Sequence, residues 1–299
     1  MGRLNARGAV VLCGGASLRM GRPKALLEFG PMTFLETVVR IVSDVCDNVV
    51  VVAAPGQSLP NLPASVLVVH DTVAHQGPLS GMLAGFEVMP SSVEYAYVTG
   101  TDTPLLKPGI VSEMFEIAAG HDLAIPFDGH RHHPLAAAYR VATAKDKART
   151  ILEANRRRPI FLMEETDAVE VPFERLRQID PMLESFRNVN TPADYRVMLK
   201  HSDRPIPAEF QAPTIRIEFF GVARMKAGVE TAEIEAESVG ELVAAMAVAF
   251  PQLNGAVIVD GRLHPAYMLM RGAAERLVDD ETMLKPNDSI LLLNLDAGG

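Results

Sequence analysis

The chain has 299 residues, 48% hydrophobic and 22% charged, with a net charge of −9. That mix excludes a largely disordered chain, and at roughly 150 residues per domain the length predicts two domains. Two cysteines, Cys13 and Cys46, exclude a disulfide framework or a Cys-rich zinc site, the acidic balance argues against nucleic-acid binding, and no apolar run is long enough to span a membrane. A soluble cytoplasmic protein in a reducing compartment is the expectation.

Residues 8–200 alternate short β-branched runs with helical stretches. Ala9–Cys13 reads as a buried strand, Thr33–Val45 as a helix and Asn48–Ala53 as the next strand. Val66–Val69 and Tyr95–Val98 read as strands around a helix from Leu79 to Met89. Strands at Leu123–Pro126 and Leu135–Tyr139 follow, then helices at Thr143–Ala154 and Pro192–Lys200. Fully apolar strands joined by helices predict an α/β fold with a mostly parallel sheet, which binds ligands at the carboxyl ends of its strands.

Beyond His201 the composition changes. Residues 202–213 hold three prolines and no periodicity, and read as a stiff linker between a domain at 1–201 and one at 214–299. The second domain reads as strands Ile215–Phe220 and Thr231–Ala236, a helix from Ser238 to Phe250, a strand Ala256–Val259 before an Asp260-Gly261 turn, and a last strand Ser289–Asn294. Ser238 and Glu241 stand at capping-box spacing. This α+β domain has seven basic against thirteen acidic residues, a surface suited to a basic protein partner.

The most informative segment is Leu12-Cys-Gly-Gly-Ala-Ser-Leu-Arg-Met-Gly-Arg-Pro-Lys24, directly after a buried strand. Gly14 and Gly15 let the backbone turn tightly and approach a ligand, and successive amides in such a loop form an anion-binding nest. Arg19 and Lys24 add cations that neutralise phosphate. The spacing is neither a Walker A nor a G-x-G-x-x-G loop.

The segment resembles the N-terminal signature of the molybdenum cofactor nucleotidyltransferases, Leu-x-Gly-Gly-x-Ser-x-Arg-Met-Gly-x-x-Lys, and is most similar to the guanylyltransferases that make molybdopterin guanine dinucleotide. Further matches follow in chain order at Asp71, Gly77-Pro-Leu-Ser-Gly81, Thr101-Asp-Thr-Pro104, His133-Pro-Leu135 and Asn188-Val-Asn-Thr-Pro192. The resemblance covers residues 8 to about 200 and implies a Rossmann-like nucleotidyltransferase domain. It implies that Leu12, Cys13, Gly14 and Gly15 hold base and phosphates, Lys24 the triphosphate and Asp71 the nucleoside, while Asp102 ligates Mg²⁺. It also implies that Ser80, His133, Asn188 and Asn190 receive the pterin substrate, and that Arg19, Lys24 and Asp102 drive GMP transfer from GTP to the terminal phosphate of molybdopterin. Family members often carry Asn where this chain reads Val52-Ala-Ala-Pro55.

The residues alone leave plainer readings open. Asp102 reads equally as a helix cap, Lys24 as a solvated lysine, Asp71 as a turn residue, His133 as a surface histidine, and one of the two asparagines as the cap of the helix after Pro192. A cytidylyltransferase or another nucleotidyltransferase on the same fold is the alternative enzyme. A carrier protein with an inactive transferase domain is the alternative outside enzymes.

Residues 214–299 resemble the small sulfur-carrier subunit of molybdopterin synthase and its ubiquitin-like, β-grasp relatives. The resemblance is carried by Ile215–Phe220 with Arg224, Leu242, Leu284-Lys-Pro-Asn-Asp288 and the final Gly298-Gly299. It implies a carboxylate on Gly299 that an adenylating, sulfur-transferring enzyme activates and that molybdopterin synthase's large subunit receives. Leu293-Asn-Leu-Asp-Ala-Gly-Gly299 lacks the Pro-Pro-Val-like run such carriers often have, which leaves other sulfur acceptors open.

Overall fold

The computed structural model describes residues 6–14, 20, 22–70, 77–272 and 274–295. Its chain divides into units 1–205 and 206–299. In the first unit, β1 (Ala6–Leu12), β2 (Asn48–Ala53), β3 (Val66–His70), β4 (Val93–Gly100), β5 (Leu123–Phe127), β6 (Ala136–Arg140) and β7 (Ala168–Pro172) form one sheet. Its order is 3-2-1-4-6-5-7, and β6 alone runs antiparallel to both neighbours.

Helices α1 (Phe34–Ser43), α2 (Pro78–Glu87), α3 (Pro108–Ala118) and α4 (Val141–Glu153) cover this sheet, and α5 (Pro192–His201) follows. Alternate residues of each strand enter opposite cores, as a two-residue side-chain repeat requires. Ala9, Val11, Val49, Val51 and Tyr97 pack with Leu35 and Val38 of α1 and Met114 of α3. Val10, Val50, Val52, Ala96 and Val98 pack instead with Met82 and Phe86 of α2 and Ala148 of α4. Runs such as residues 49–53 are therefore apolar at every position because neither face of the strand meets water. Gly85 brings α2 onto β1: a Cβ there would lie 2.6 Å from Val10 Cγ1.

Several starts and stops follow local chemistry. Thr33 caps α1 in a reciprocal pair with Glu36, and Thr191 caps α5 in the same way with Asp194. Neither Asn188 nor Asn190 is that cap. Pro108 occupies the first turn of α3, where its missing N–H costs nothing. The N–H of Lys107 just before it is taken by Ser185 Oγ at 3.1 Å.

In the second unit, β8 (Thr214–Phe219), β9 (Thr231–Glu235), β10 (Tyr267–Arg271), β11 (Glu275–Leu277) and β12 (Ser289–Asn294) form a mixed sheet of order 9-8-12-10-11. Only the central pair, β8 and β12, is parallel. Helices α6 (Gly221–Ala227) and α7 (Val239–Ala249) accompany it, and Leu242, Val243 and Met246 of α7 share a core with Ile217, Leu269 and Leu292. Ser238 Oγ accepts the Glu241 N–H, but Glu241 Oε2 accepts from Glu237 rather than Ser238, so the expected capping box is half formed. The strand expected at 256–259 shortens to Ile258–Val259, because the Val257 N–H turns back to Leu253 O. The expected Asp260-Gly261 turn is present, both residues at positive φ. Within 202–213 a single 3-10 turn, Ala208–Phe210, interrupts the extended chain and buries Phe210. Among the described residues no helix is long and apolar enough to cross a membrane.

Candidate active site

The chain leaves β1, builds β2 and β3 on one side, and returns to form β4 on the other. A crevice therefore opens between the carboxyl ends of β1 and β4, the place where such sheets bind ligands. Leu12 of β1 lies level with Val52 of β2 and Gly100 of β4. Three threonines fix the exit of β4. Thr101 donates to Leu12 O through its N–H at 3.1 Å and its hydroxyl at 3.0 Å. Thr103 Oγ1 donates to Gly100 O at 3.1 Å and pairs with Thr99 Oγ1 at 3.0 Å, with all three threonines buried.

Asp102 projects from this fixed turn. The Val189 N–H donates to its main-chain oxygen at 2.9 Å, tying the turn to the segment that carries Asn188 and Asn190. Its carboxylate folds back so closely over Gly100 that a Cβ on that glycine would lie 2.5 Å from Asp102 Oδ1. Helix α3 begins six residues later, so Asp102 is not its cap.

Lys24 begins a short 3-10 turn, Lys24–Leu26, and leans into the same place. Its Nζ donates to Asn190 Oδ1 at 2.6 Å and to Asp102 Oδ2 at 3.3 Å. The Lys24 and Asp102 side chains are 20% and 23% exposed, so the pair is reachable by a ligand yet shielded from bulk solvent. Lys24 is thus not a solvated lysine. Asn190 is fixed in turn, because its N–H donates to Asp194 Oδ2 at 2.9 Å while Asp194 completes the cap of α5.

Beside this cluster the Cys13 N–H bonds Val52 O at 2.8 Å. Gln57 Nε2 donates to Cys13 O at 3.0 Å, and Gln57 Oε1 accepts the Ala54 N–H at 3.0 Å. One amide thereby joins the loops after β1 and β2. Burial pushes the Cys13 thiol up despite hydrogen bonds from Thr101 and Gln57, so it is no thiolate nucleophile. Gly81 in the first turn of α2 packs near Leu12, which sets neighbouring Ser80 on the same side of the sheet.

His133 sits further along. Its Nε2 meets Asp128 Oδ2 at 2.9 Å, and its ring stacks on Phe173 with centroids 5.0 Å apart and touches Phe186 edge-on. Burial lowers the His133 pKa against the opposing pull of Asp128. Phe186 also lines a cleft of about 470 Å³ together with Asn188, Val189, Asn190 and Met198. Lys24, Asp102 and Asn190 therefore form one cluster, and Asn188 joins it through the cleft. Gly15, Arg19 and Asp71, like Gly298 and Gly299, lie outside the described residues.

A metal here would have Asp102 as its protein ligand. Among the described residues no three His, Cys, Asp or Glu side chains are gathered into a closed metal cage. A single carboxylate is compatible with Mg²⁺, which binds through one or two carboxylates and completes its shell with water and substrate phosphates.

Sheet order, glycine loop and the lysine–carboxylate pair define a nucleotidyltransferase-type α/β domain. The MobA-like NTP transferase domain family matches residues 9–169, more than half of the sequence, and the chain belongs to that family. It is 32% identical over 212 residues to a probable molybdenum cofactor guanylyltransferase from Methanosarcina mazei, covering 67% of this chain and 93% of the relative. A relative of the same description from Mycobacterium avium is 34% identical over 194 residues, covering 63% of this chain and 93% of that protein. The crystal structure of molybdopterin-guanine dinucleotide biosynthesis protein A from Archaeoglobus fulgidus superposes with a TM-score of 0.55 at 23% identity. It covers 66% of this chain and 98% of that one, and so shows the shared fold. The chain is a nucleotidyltransferase.

Proposed function

We propose that the first unit transfers GMP from GTP to the terminal phosphate of molybdopterin, forming molybdopterin guanine dinucleotide and releasing pyrophosphate. The observation that carries this reading is the Lys24–Asp102–Asn190 cluster at the ends of β1 and β4, in a family whose relatives include molybdenum cofactor guanylyltransferases. An acceptor phosphate oxygen attacks the α-phosphorus, a new P–O bond forms, and the α–β bridge breaks. The attacking group is already an anion, so no protein nucleophile is required, and the work is positioning and electrostatics. Lys24 neutralises charge gathering on the leaving pyrophosphate, with Arg19 assigned the same task. Asn190 holds the Lys24 ammonium in place through its 2.6 Å contact. Leu12, Cys13, Gly14 and Gly15 supply backbone contacts to the nucleotide, Asp71 contacts the nucleoside, and Ser80, His133 and Asn188 stand on the acceptor side. Asp102 would hold Mg²⁺, which when bound would supply Lewis-acid polarisation of phosphate oxygens. Purified protein given Mg²⁺, molybdopterin and each nucleoside triphosphate in turn tests the reading: GTP is expected to give the highest kcat/KM, and preference for CTP would convert it to a cytidylyltransferase.

The second unit supports a further reading as a β-grasp sulfur carrier. Its mixed sheet has a parallel central pair formed by the first and last strands, with α7 packed on one face. Gly298-Gly299 would give a slender end that enters a partner's active site, with the Gly299 carboxylate adenylated and then converted to a thiocarboxylate. The partners on this reading are an adenylating, sulfur-transferring enzyme and the large subunit of molybdopterin synthase. Intact-mass analysis after incubation with such an enzyme, ATP and a sulfur donor should show one oxygen replaced by sulfur at Gly299. No change, beside a carrier converted in the same tube, would refute it.

A further inference from the structure

The cleft beside Asn190 is lined by both apolar and charged side chains. Asn190, which lines the cleft, holds Lys24 Nζ through its Oδ1, so the cleft adjoins the Lys24–Asp102 cluster. Phe186, Val189 and Met198 give it apolar wall, and Asn188 gives it a polar edge. The charged side chains on its walls are Arg131 and Arg187 against one carboxylate, Asp194, with the His201 imidazole beside them. That carboxylate is occupied, since Asp194 Oδ2 accepts the N–H groups of both Asn190 and Thr191. Arg131 is engaged as well, its Nε lying 3.2 Å from Asp128 Oδ2. Arg187 is different. It is exposed, three residues before Asn190 on the same segment, and its guanidinium makes no hydrogen bond or ion pair among the described residues.

Resting on the transferase reading, we propose that Arg187 is the acceptor-side anion reader: it holds the phosphate of an acceptor whose flat, hydrogen-bonding body lies along the cleft. Transfer brings two phosphate groups of like charge together, which requires cations on both sides. Lys24 serves the donor. A planar guanidinium with paired donors suits an incoming phosphate monoester and grips it in a fixed orientation, which a compact ammonium does less well. The apolar wall beside it accommodates a planar heterocycle and excludes water from the approach.

The test uses the full chain with Arg187→Ala and Arg187→Lys. Arg187→Ala should raise the KM for the phosphate-bearing acceptor by about tenfold or more, as expected for a charge-assisted contact, while leaving the KM for GTP within about twofold. Arg187→Lys should recover part of the loss. A merely structural arginine would shift both KM values or the melting temperature instead. Direct titration with a pterin phosphate monoester reads the same contact without turnover, and Arg187→Ala should bind it about tenfold more weakly. Unchanged acceptor KM or unchanged titration overturns the assignment. Absence of transfer by the wild-type chain, with the titration difference intact, would refute the transferase reading and leave Arg187 as an anion reader.

Discussion

Replacing Asp102 by asparagine separates a catalytic carboxylate from a structural one. The Lys24–Asp102 pair is 3.3 Å long and about a fifth exposed on each side, so its loss should lower stability by no more than about 1 kcal/mol. The scaffold of the turn is retained, because the Val189 N–H still meets the main-chain oxygen of residue 102 and Thr101 still binds Leu12. For a unit of this size that means a melting temperature lowered by about 2–4 °C at most. On the proposed role, removing the carboxylate that would hold the metal is a larger perturbation, roughly 2.7–4 kcal/mol or 10²–10³ in rate for comparable electrostatic groups. Pyrophosphate release at saturating GTP and acceptor measures this, alongside a thermal melt. Gly100→Ala is the companion variant: it keeps the carboxylate but displaces it, because the new Cβ would lie 2.5 Å from Asp102 Oδ1. It should give an intermediate loss of rate. If the Asp102→Asn protein keeps more than about a tenth of the wild-type kcat, the metal and catalytic assignment of Asp102 is wrong.

Asp180 gives an acid-side prediction. It is fully buried and accepts bonds from Ser185 N and Oγ, both at 2.8 Å, and from Lys107 Nζ at 2.7 Å. Burial raises its pKa, but the Lys107 and Ser185 hydrogen bonds outweigh that and hold it below the usual carboxylate value. Its stabilisation is therefore full above the unfolded value of about 3.9 and lost as pH falls through the lower folded value, so Asp180→Asn should flatten the acid limb of a stability–pH curve. His133 acts at higher pH: with its folded pKa lowered, the unfolded chain binds the proton first as pH drops below about 6.5. Stability should fall across that window, and His133→Gln should abolish that slope in denaturant titrations. Gly85→Val should destabilise by about 1–3 kcal/mol, seen as a lower denaturation midpoint, because its Cβ would enter the space of Val10.

Strong local patterns were legible in the sequence. Asn48–Ala53 and Ser289–Asn294 are strands over the same residues the pattern marks, because β-branched and aliphatic runs bounded by polar turns admit little else. Helix α3 was given no range in the sequence, although Pro108 opens its first turn, where a proline is well placed. The short strands β10 and β11, helix α6 and edge strand β7 carry patterns too brief to stand out. Lys24, Asp102 and Asn190 were each marked as functional by their motifs, yet their meeting was not. The contact of Lys24 with Asn190 joins residues 166 apart, and spacing cannot encode such a meeting. The hydroxyl of Thr103 on Gly100 and the amide of Gln57 on Cys13 were equally silent, because each acts through a backbone atom. A row of threonines flanking an acidic residue was the available signal for the first.

The 166-residue span between Lys24 and Asn190 also sets when this protein can begin to work. All seven strands of the first sheet are complete by Pro172, before Asn190 has entered the chain. A growing polypeptide can therefore assemble the sheet and present Asp102 while Lys24 still lacks its asparagine. Contacts so distant along the chain carry a large closure entropy and form late. In refolding, catalytic recovery should lag behind the return of sheet signal, which makes transfer a reporter of the last step of folding.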